Sequence, residues 1–176
     1  MKMKFALIPI AIVALLGGFF AYKLTQPRND FVQSAMVGQP VPAFVLPPIS
    51  ESRPGVQTSD LRDGKPKLVN FFASWCLPCR VEAPFLDRLE REGATIVAIA
   101  ISDEGEDVDR FLAEYGNPFA RIGDDENAQI QLEFGSSQVP ETFVVDGEGV
   151  IRYHHIGDIA ERDIPVLLRE LEKAGR

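Results

Sequence analysis

The sequence predicts an α/β fold, a central mixed β-sheet with helices on both faces, carried behind an N-terminal transmembrane signal anchor. Three observations predict it. Continuous apolar runs rich in β-branched residues alternate with helical patterns through the middle of the chain. A hairpin followed by a helix ends the chain, which adds antiparallel strands to the sheet. The stretch from Phe5 to Tyr22 carries no charge and follows the basic start Met1-Lys2-Met3-Lys4.

That uncharged run of 18 residues gives roughly 27 Å of helix, marginally enough to span a bilayer. It ends in Gly17-Gly18-Phe19-Phe20-Ala21-Tyr22, which offers no good Ala-x-Ala cleavage site. Phe19, Phe20 and Tyr22 instead suit the membrane–water interface. Residues 1–24 therefore read as an uncleaved signal anchor, 25–36 as a polar linker and 37–176 as one compact domain. The positive N-terminus stays in the cytoplasm, so the domain is expected on the far side, where protein disulfides persist.

The composition is that of a globular protein, 45% hydrophobic and 25% charged, with 18 Lys and Arg against 26 Asp and Glu. Lys2, Lys4 and Lys23 flank the apolar run, so the domain itself is more acidic still. An acidic domain without a basic stripe excludes nucleic acid as the expected partner.

Phe44-Val45-Leu46 reads as a short strand stopped by Pro47-Pro48, and 49–57 as a small hairpin turning at Pro54-Gly55. Thr58-Ser59-Asp60-Leu61 suggests one helical turn. Lys67 to Ala73 is a buried strand, and the segment from Arg80 towards Glu92 a helix that Pro84 should kink. Thr95 to Ile101 is a strand covered on both faces. Glu106 to Tyr115 is a helix with Val108, Phe111 and Leu112 inward, followed by a short strand over 119–122 and a helix over 126–134. Thr142 to Val145 and Val150 to Ile156 form the closing hairpin. The helix over 159–174 puts Ile164, Leu167, Leu168 and Leu171 on one face, with Pro165 either kinking it or marking its first turn.

Chemistry gathers at Trp75-Cys76-Leu77-Pro78-Cys79, which holds both cysteines of the chain. Such a pair has three readings: a redox dithiol, half of a metal site, or a structural disulfide. A zinc site needs further Cys or His ligands. The candidates are His154 and His155, adjacent on a strand and so on opposite faces, which leaves at most three ligands. A structural disulfide around two residues restrains the unfolded chain little. A redox pair gains most from this position, because a helix start favours a thiolate on the first cysteine. No metal and no cofactor beyond a Cys76–Cys79 disulfide is expected.

The segment Phe72-Ala73-Ser74-Trp75-Cys76-Leu77-Pro78-Cys79-Arg80, with Pro84 beyond it, resembles the active site of thioredoxin-fold proteins. The resemblance continues at Val139-Pro140, the place where that fold holds a cis-proline against the dithiol, and covers the chain from about Val37 to its end. Phe44-Val45-Leu46-Pro47, Tyr115-Gly116-Asn117-Pro118-Phe119, Val139-Pro140-Glu141-Thr142-Phe143 and Gly157-Asp158-Ile159 are similar to the membrane-anchored CcmG/DsbE branch. TlpA- and ResA-like reductases share the dithiol core.

That resemblance implies a thiol–disulfide oxidoreductase of the bacterial inner membrane, its domain facing the periplasm. It acts there as a reductant in cytochrome c maturation. Apocytochrome c or a maturation protein is the implied target, and a membrane thiol transporter of the CcdA or DsbD type the implied electron donor. Cys76 attacks and Cys79 resolves; Trp75 and Pro78 shape the site, and Pro140 presents its neighbouring backbone to the target. The buried aspartate of many thioredoxins is replaced here by Asn70, which leaves Glu82 and Glu141 as the candidate proton acceptors for Cys79. The alternatives are a general reductase or oxidant of the TlpA, ResA or DsbA kind and a binding module without turnover. A peroxidase lacks its Pro-x-x-x-Thr-x-x-Cys setting.

Overall fold

The computed structural model describes residues 12, 13, 15–20, 22 and 35–176. The chain forms two compact units, Met1–Val32 and Gln33–Arg176. In the first, the described residues are helical, and among the described residues no helix is long and apolar enough to cross a membrane. The anchor over 1–24 and the linker over 25–36 fall largely outside the described residues.

The second unit is built on a five-stranded sheet in the order β5-β4-β3-β6-β7. Its strands are β3 (Lys67–Phe72), β4 (Ile96–Ile101), β5 (Phe119–Asp125), β6 (Glu141–Val145) and β7 (Ile151–Ile156). β3, β4 and β5 run parallel, and β6 and β7 are antiparallel additions. Every residue of β3 and β4 is buried, which explains their unbroken apolar sequence: a central parallel strand has no solvent face.

Alternation along β3 divides the core in two. Leu68 and Phe72 face one way, against α1 (Leu77–Arg91), α2 (Gly105–Tyr115) and α4 (Ile164–Ala174). Their partners there are Leu86, Leu89, Val108, Phe111 and Leu167. Val69 and Phe71 face the other way, towards Val41, Phe44, Leu61, Ile130 and Phe134. Helices do lie on both faces, but unequally: the second carries only the short α3 (Gln129–Glu133), and the chain before β3 covers the rest.

Several boundaries differ from the sequence reading, each for a local reason. The expected hairpin within 49–57 does not close on itself; β2 (Val56–Gln57) pairs instead with β1 (Val45–Leu46). β5 runs on past Ile122 to Asp125, because β4 continues beside it and supplies hydrogen bonds. The helix expected from Glu126 starts only at Gln129. Ala128 is left-handed at φ 55°, and Asp125 accepts the N–H groups of Ile130 and Gln131 as a cap. α4 starts at Ile164, with Pro165 in its first turn, where a missing N–H costs nothing.

Candidate functional site

β3 lies in the middle of the sheet, so its C-terminal end delivers the chain to a central position, and α1 begins there. Cys76 is the N-cap of α1, and Pro78 occupies the first turn with its fixed φ. Cys76 and Cys79 form a disulfide with Cα atoms 5.3 Å apart. The Cys79 N–H donates to Cys76 Sγ over 3.2 Å, an orphan donor of the first helical turn aimed at the sulfur. In the reduced state the same donor and the helix dipole would stabilise a Cys76 thiolate.

Both cysteines are buried, while their neighbours are not: Trp75 is 59%, Leu77 68% and Val81 55% exposed. An apolar rim therefore surrounds a recessed disulfide. The Trp75 Nε1–H donates to the Ser102 carbonyl over 3.2 Å, which ties the indole to the turn after β4. Ser102 is itself left-handed at φ 46°, an uncommon backbone for serine. Asp103 accepts both the Ser74 N–H and the Ser74 hydroxyl, and Arg80 donates to the Ser74 carbonyl over 3.0 Å. These contacts fix the turn from β3 into α1.

Behind Cys79 lies Glu82, fully buried. Asn70 Nδ2 donates to its Oε1 over 3.0 Å and the Ile159 N–H to its Oε2 over 3.0 Å. Glu82 and Cys79 line one cavity of about 10 Å³, room for roughly a single water. Burial pushes the Glu82 carboxyl up to about 8; the Ile159 and Asn70 donors pull against that, and Asp158 adds a smaller upward push. A carboxyl held that high is a stronger base than an ordinary glutamate and suits accepting a proton from the neighbouring thiol.

Glu141 is also buried, but on the opposite side of the sheet. Thr142 meets Asn70 on the Glu82 side, whereas Glu141 pairs with Phe71, whose ring belongs to the other core. Its carboxylate accepts from His154 Nε2 over 2.8 Å. Of the two candidate acceptors, Glu82 is the one that shares a cavity with Cys79. The Val139–Pro140 bond is cis, and Pro140 sits at the head of β6, at the dithiol end of the sheet.

In the sequence Asn70 stands where many thioredoxins have an acid, Gln131 carries no signal, and His154 enters only with His155 as a candidate zinc ligand. Asn70 holds Glu82, and the side chains of Glu141 and His154 are both 3% exposed. For Asn70 a signal existed, a polar residue inside an apolar strand. The partners of Gln131 are local, Ser136 and Gln138, but a polar residue on a short helix gives no sequence signal of burial. His154 meets Glu141 through the β6–β7 pairing, which sequence spacing does not reveal.

The Redoxin family model matches residues 36–171. A thiol:disulfide interchange protein DsbE from Yersinia pestis is 36% identical over 90% of this chain and 87% of its own length. HelX, a thiol:disulfide interchange protein from Rhodobacter capsulatus, is 40% identical over 88% of this chain and 87% of its own. Among solved structures, a Chlorobium tepidum protein assigned as a thiol:disulfide interchange protein DsbE superposes with a TM-score of 0.68. It is 26% identical and covers 80% of this chain and 98% of its own.

Proposed function

This chain belongs to the Redoxin family, in its DsbE-type thiol:disulfide interchange branch, and we propose that it works as a protein-disulfide reductant in cytochrome c maturation. The observation that carries this reading is the recessed Cys76–Cys79 pair at a helix N-terminus with Glu82 behind its second sulfur.

The reduced chain begins with Cys76 as thiolate. Its sulfur attacks one sulfur of a target disulfide, the target bond breaks, and the target's leaving thiolate takes a proton from water. Cys79 then gives its proton to Glu82 in its ionised form, a fraction that grows as pH approaches 8, and attacks Cys76 Sγ. The mixed disulfide breaks, the target's second thiolate takes a proton from water, and the target leaves as a dithiol, two electrons having passed to it from the chain. During the exchange the target lies extended along Val139, whose N–H and carbonyl enter none of the loop or cap hydrogen bonds among the described residues. Trp75, Leu77 and Pro78 form the apolar rim that receives it.

In this reading the target is apocytochrome c or a maturation protein, whose thiols must be reduced for haem attachment. An oxidising compartment would keep re-forming the disulfide, so the chain draws electrons from a membrane thiol donor of the CcdA or DsbD kind. The reading sets the domain in the periplasm, tethered to the inner membrane; Lys2 and Lys4 ahead of an uncharged run support that orientation.

The test is a Cys79→Ser trap in the native cell. An exchange reductant accumulates a mixed disulfide through Cys76, and the captured protein is apocytochrome c or a maturation partner. Capture of unrelated secreted proteins alone would replace this reading with a general reductase, and capture of nothing with a binding module.

A further inference from the structure

Gln131 sits on α3 and is 6% exposed, a carboxamide inside a core shared with Ile130 and Phe134. Buried amides persist when they are bonded, and this one is: Nε2 donates to the Gln138 carbonyl over 2.9 Å and to Ser136 Oγ over 3.2 Å. Its backbone is fixed in turn, since the Gln131 N–H donates to Asp125 Oδ2 over 2.8 Å. Gln138 immediately precedes Val139, so Gln131 holds the near end of the loop.

The far end is held from a different strand. Glu141 follows Pro140, and its carboxylate accepts from His154 on β7. The imidazole is stacked on Phe143, ring centroids 3.9 Å apart and planes 15° from parallel. Between the two clamps the Gly157 N–H donates to the Pro140 carbonyl over 3.1 Å, at a left-handed φ of 91° that suits glycine. The carbonyls of Gln138 and Pro140, on either side of Val139, are thus occupied.

We infer that Gln131 and His154 are positioning residues that fix the Gln138–Glu141 segment from its two ends. They thereby set how tightly an extended target is held, without acting on the dithiol. This rests on the reading of Val139 as the edge that pairs with the target. Gln131 and His154 act on the sheet face away from Glu82, and neither lines the Cys79 cavity. Binding and chemistry are therefore separable at these positions.

The test uses the full reduced chain and two substrates, a peptide closed by a Cys-x-x-Cys disulfide and a small aromatic disulfide that offers no backbone to pair with. Gln131→Met and His154→Phe each remove one clamp. Each should raise KM for the peptide by about tenfold, since each removes the side-chain hydrogen bond that reaches the segment itself, Gln131 to the Gln138 carbonyl or His154 to Glu141, with kcat and the reduction potential unchanged. The rate with the small disulfide should not change, and that rate also reports that the variants are folded. His154→Gln, which keeps a donor opposite Glu141, should recover most of the KM. An unchanged peptide KM, or equal slowing with both substrates, overturns the inference. A wild-type chain that only oxidises the dithiol peptide overturns the reductant reading alone, and KM for that oxidation then carries the same comparison.

Discussion

Asn70 and Glu82 are bonded to each other in the core, the Asn70 amide donating to the Glu82 carboxylate over 3.0 Å, with both side chains fully buried. One lies on a strand and the other one turn into the next helix. The bond joins the floor of the sheet to the dithiol helix and aims the carboxylate at the cavity behind Cys79.

Glu82→Gln should slow resolution and leave the first attack intact. Cys76 needs no proton acceptor once ionised, whereas Cys79 does. Losing a positioned base typically costs at least ~10²-fold, so the mixed disulfide should accumulate. Stopped-flow measurement of both steps checks this; equal slowing of both would remove Glu82 from the proton path.

The same carboxyl links stability to pH. In the folded chain Glu82 titrates near 8 and in the unfolded chain near 4.5, so the folded state binds the extra proton between those values. Its stabilising contribution is fully present below 4.5 and is lost as pH rises through 8. The span amounts to about 5 kcal/mol at most, taking roughly 1.36 kcal/mol per unit. Denaturant midpoints of wild type and Glu82→Gln should therefore diverge steadily from pH 4.5 to 8 in favour of the variant. Parallel curves would contradict the buried titration.

Much of this was legible because the informative residues are local. The cysteine pair, the apolar runs of β3 and β4, and the Val139-Pro140-Glu141 string announce themselves in sequence order. What was not legible depends on contacts across the fold. Glu82 sits one turn beyond Cys79 on α1, but that Glu141 faces His154 on the other side of the sheet depends on the alternation of β6. The late start of α3 depends on the Asp125 cap and a left-handed Ala128, a backbone state that alanine seldom signals.

Phe134 is the keystone of the second core. It is fully buried and packs edge-on against Phe44, Phe71 and Phe143 at centroid distances of 6.0, 5.2 and 5.5 Å. Phe134→Ala should cost about 3–5 kcal/mol, read as a shift in urea midpoint at constant slope. The loss should also loosen the Gln131 clamp above it, so peptide KM should rise more than the rate with a small disulfide falls.

Trp75→Ala should behave in the opposite way. The indole is 59% exposed and holds one hydrogen bond, so stability should change by less than about 1 kcal/mol. Reduction of a protein target should nevertheless fall severalfold, because the rim loses its largest apolar surface. A large drop in melting temperature would instead make Trp75 a structural residue.

Asn70→Asp tests why this position is an amide. The substitution is nearly isosteric but removes the donor that Glu82 accepts, and it sets a second carboxyl about 3.0 Å from the first. Two carboxylates at that distance cannot both ionise in the core, so the pair shares one proton and titrates in two coupled steps. Below the ordinary carboxyl range both groups are protonated, folded or unfolded, and the variant should match wild type. As pH rises the unfolded chain releases two protons while the folded chain keeps one beyond the wild-type value near 8. The folded state then binds more protons than the unfolded over a wider window, so stability is lost further and to higher pH than in wild type. Denaturant midpoints should accordingly coincide at about pH 2–3, below the ordinary carboxyl range, and separate by pH 8, with Asn70→Asp the weaker. The pH optimum of the resolution step should move upward with the second titration. A deficit of equal size at both pH values would mean that the amide serves packing alone and leaves the Glu82 proton untouched.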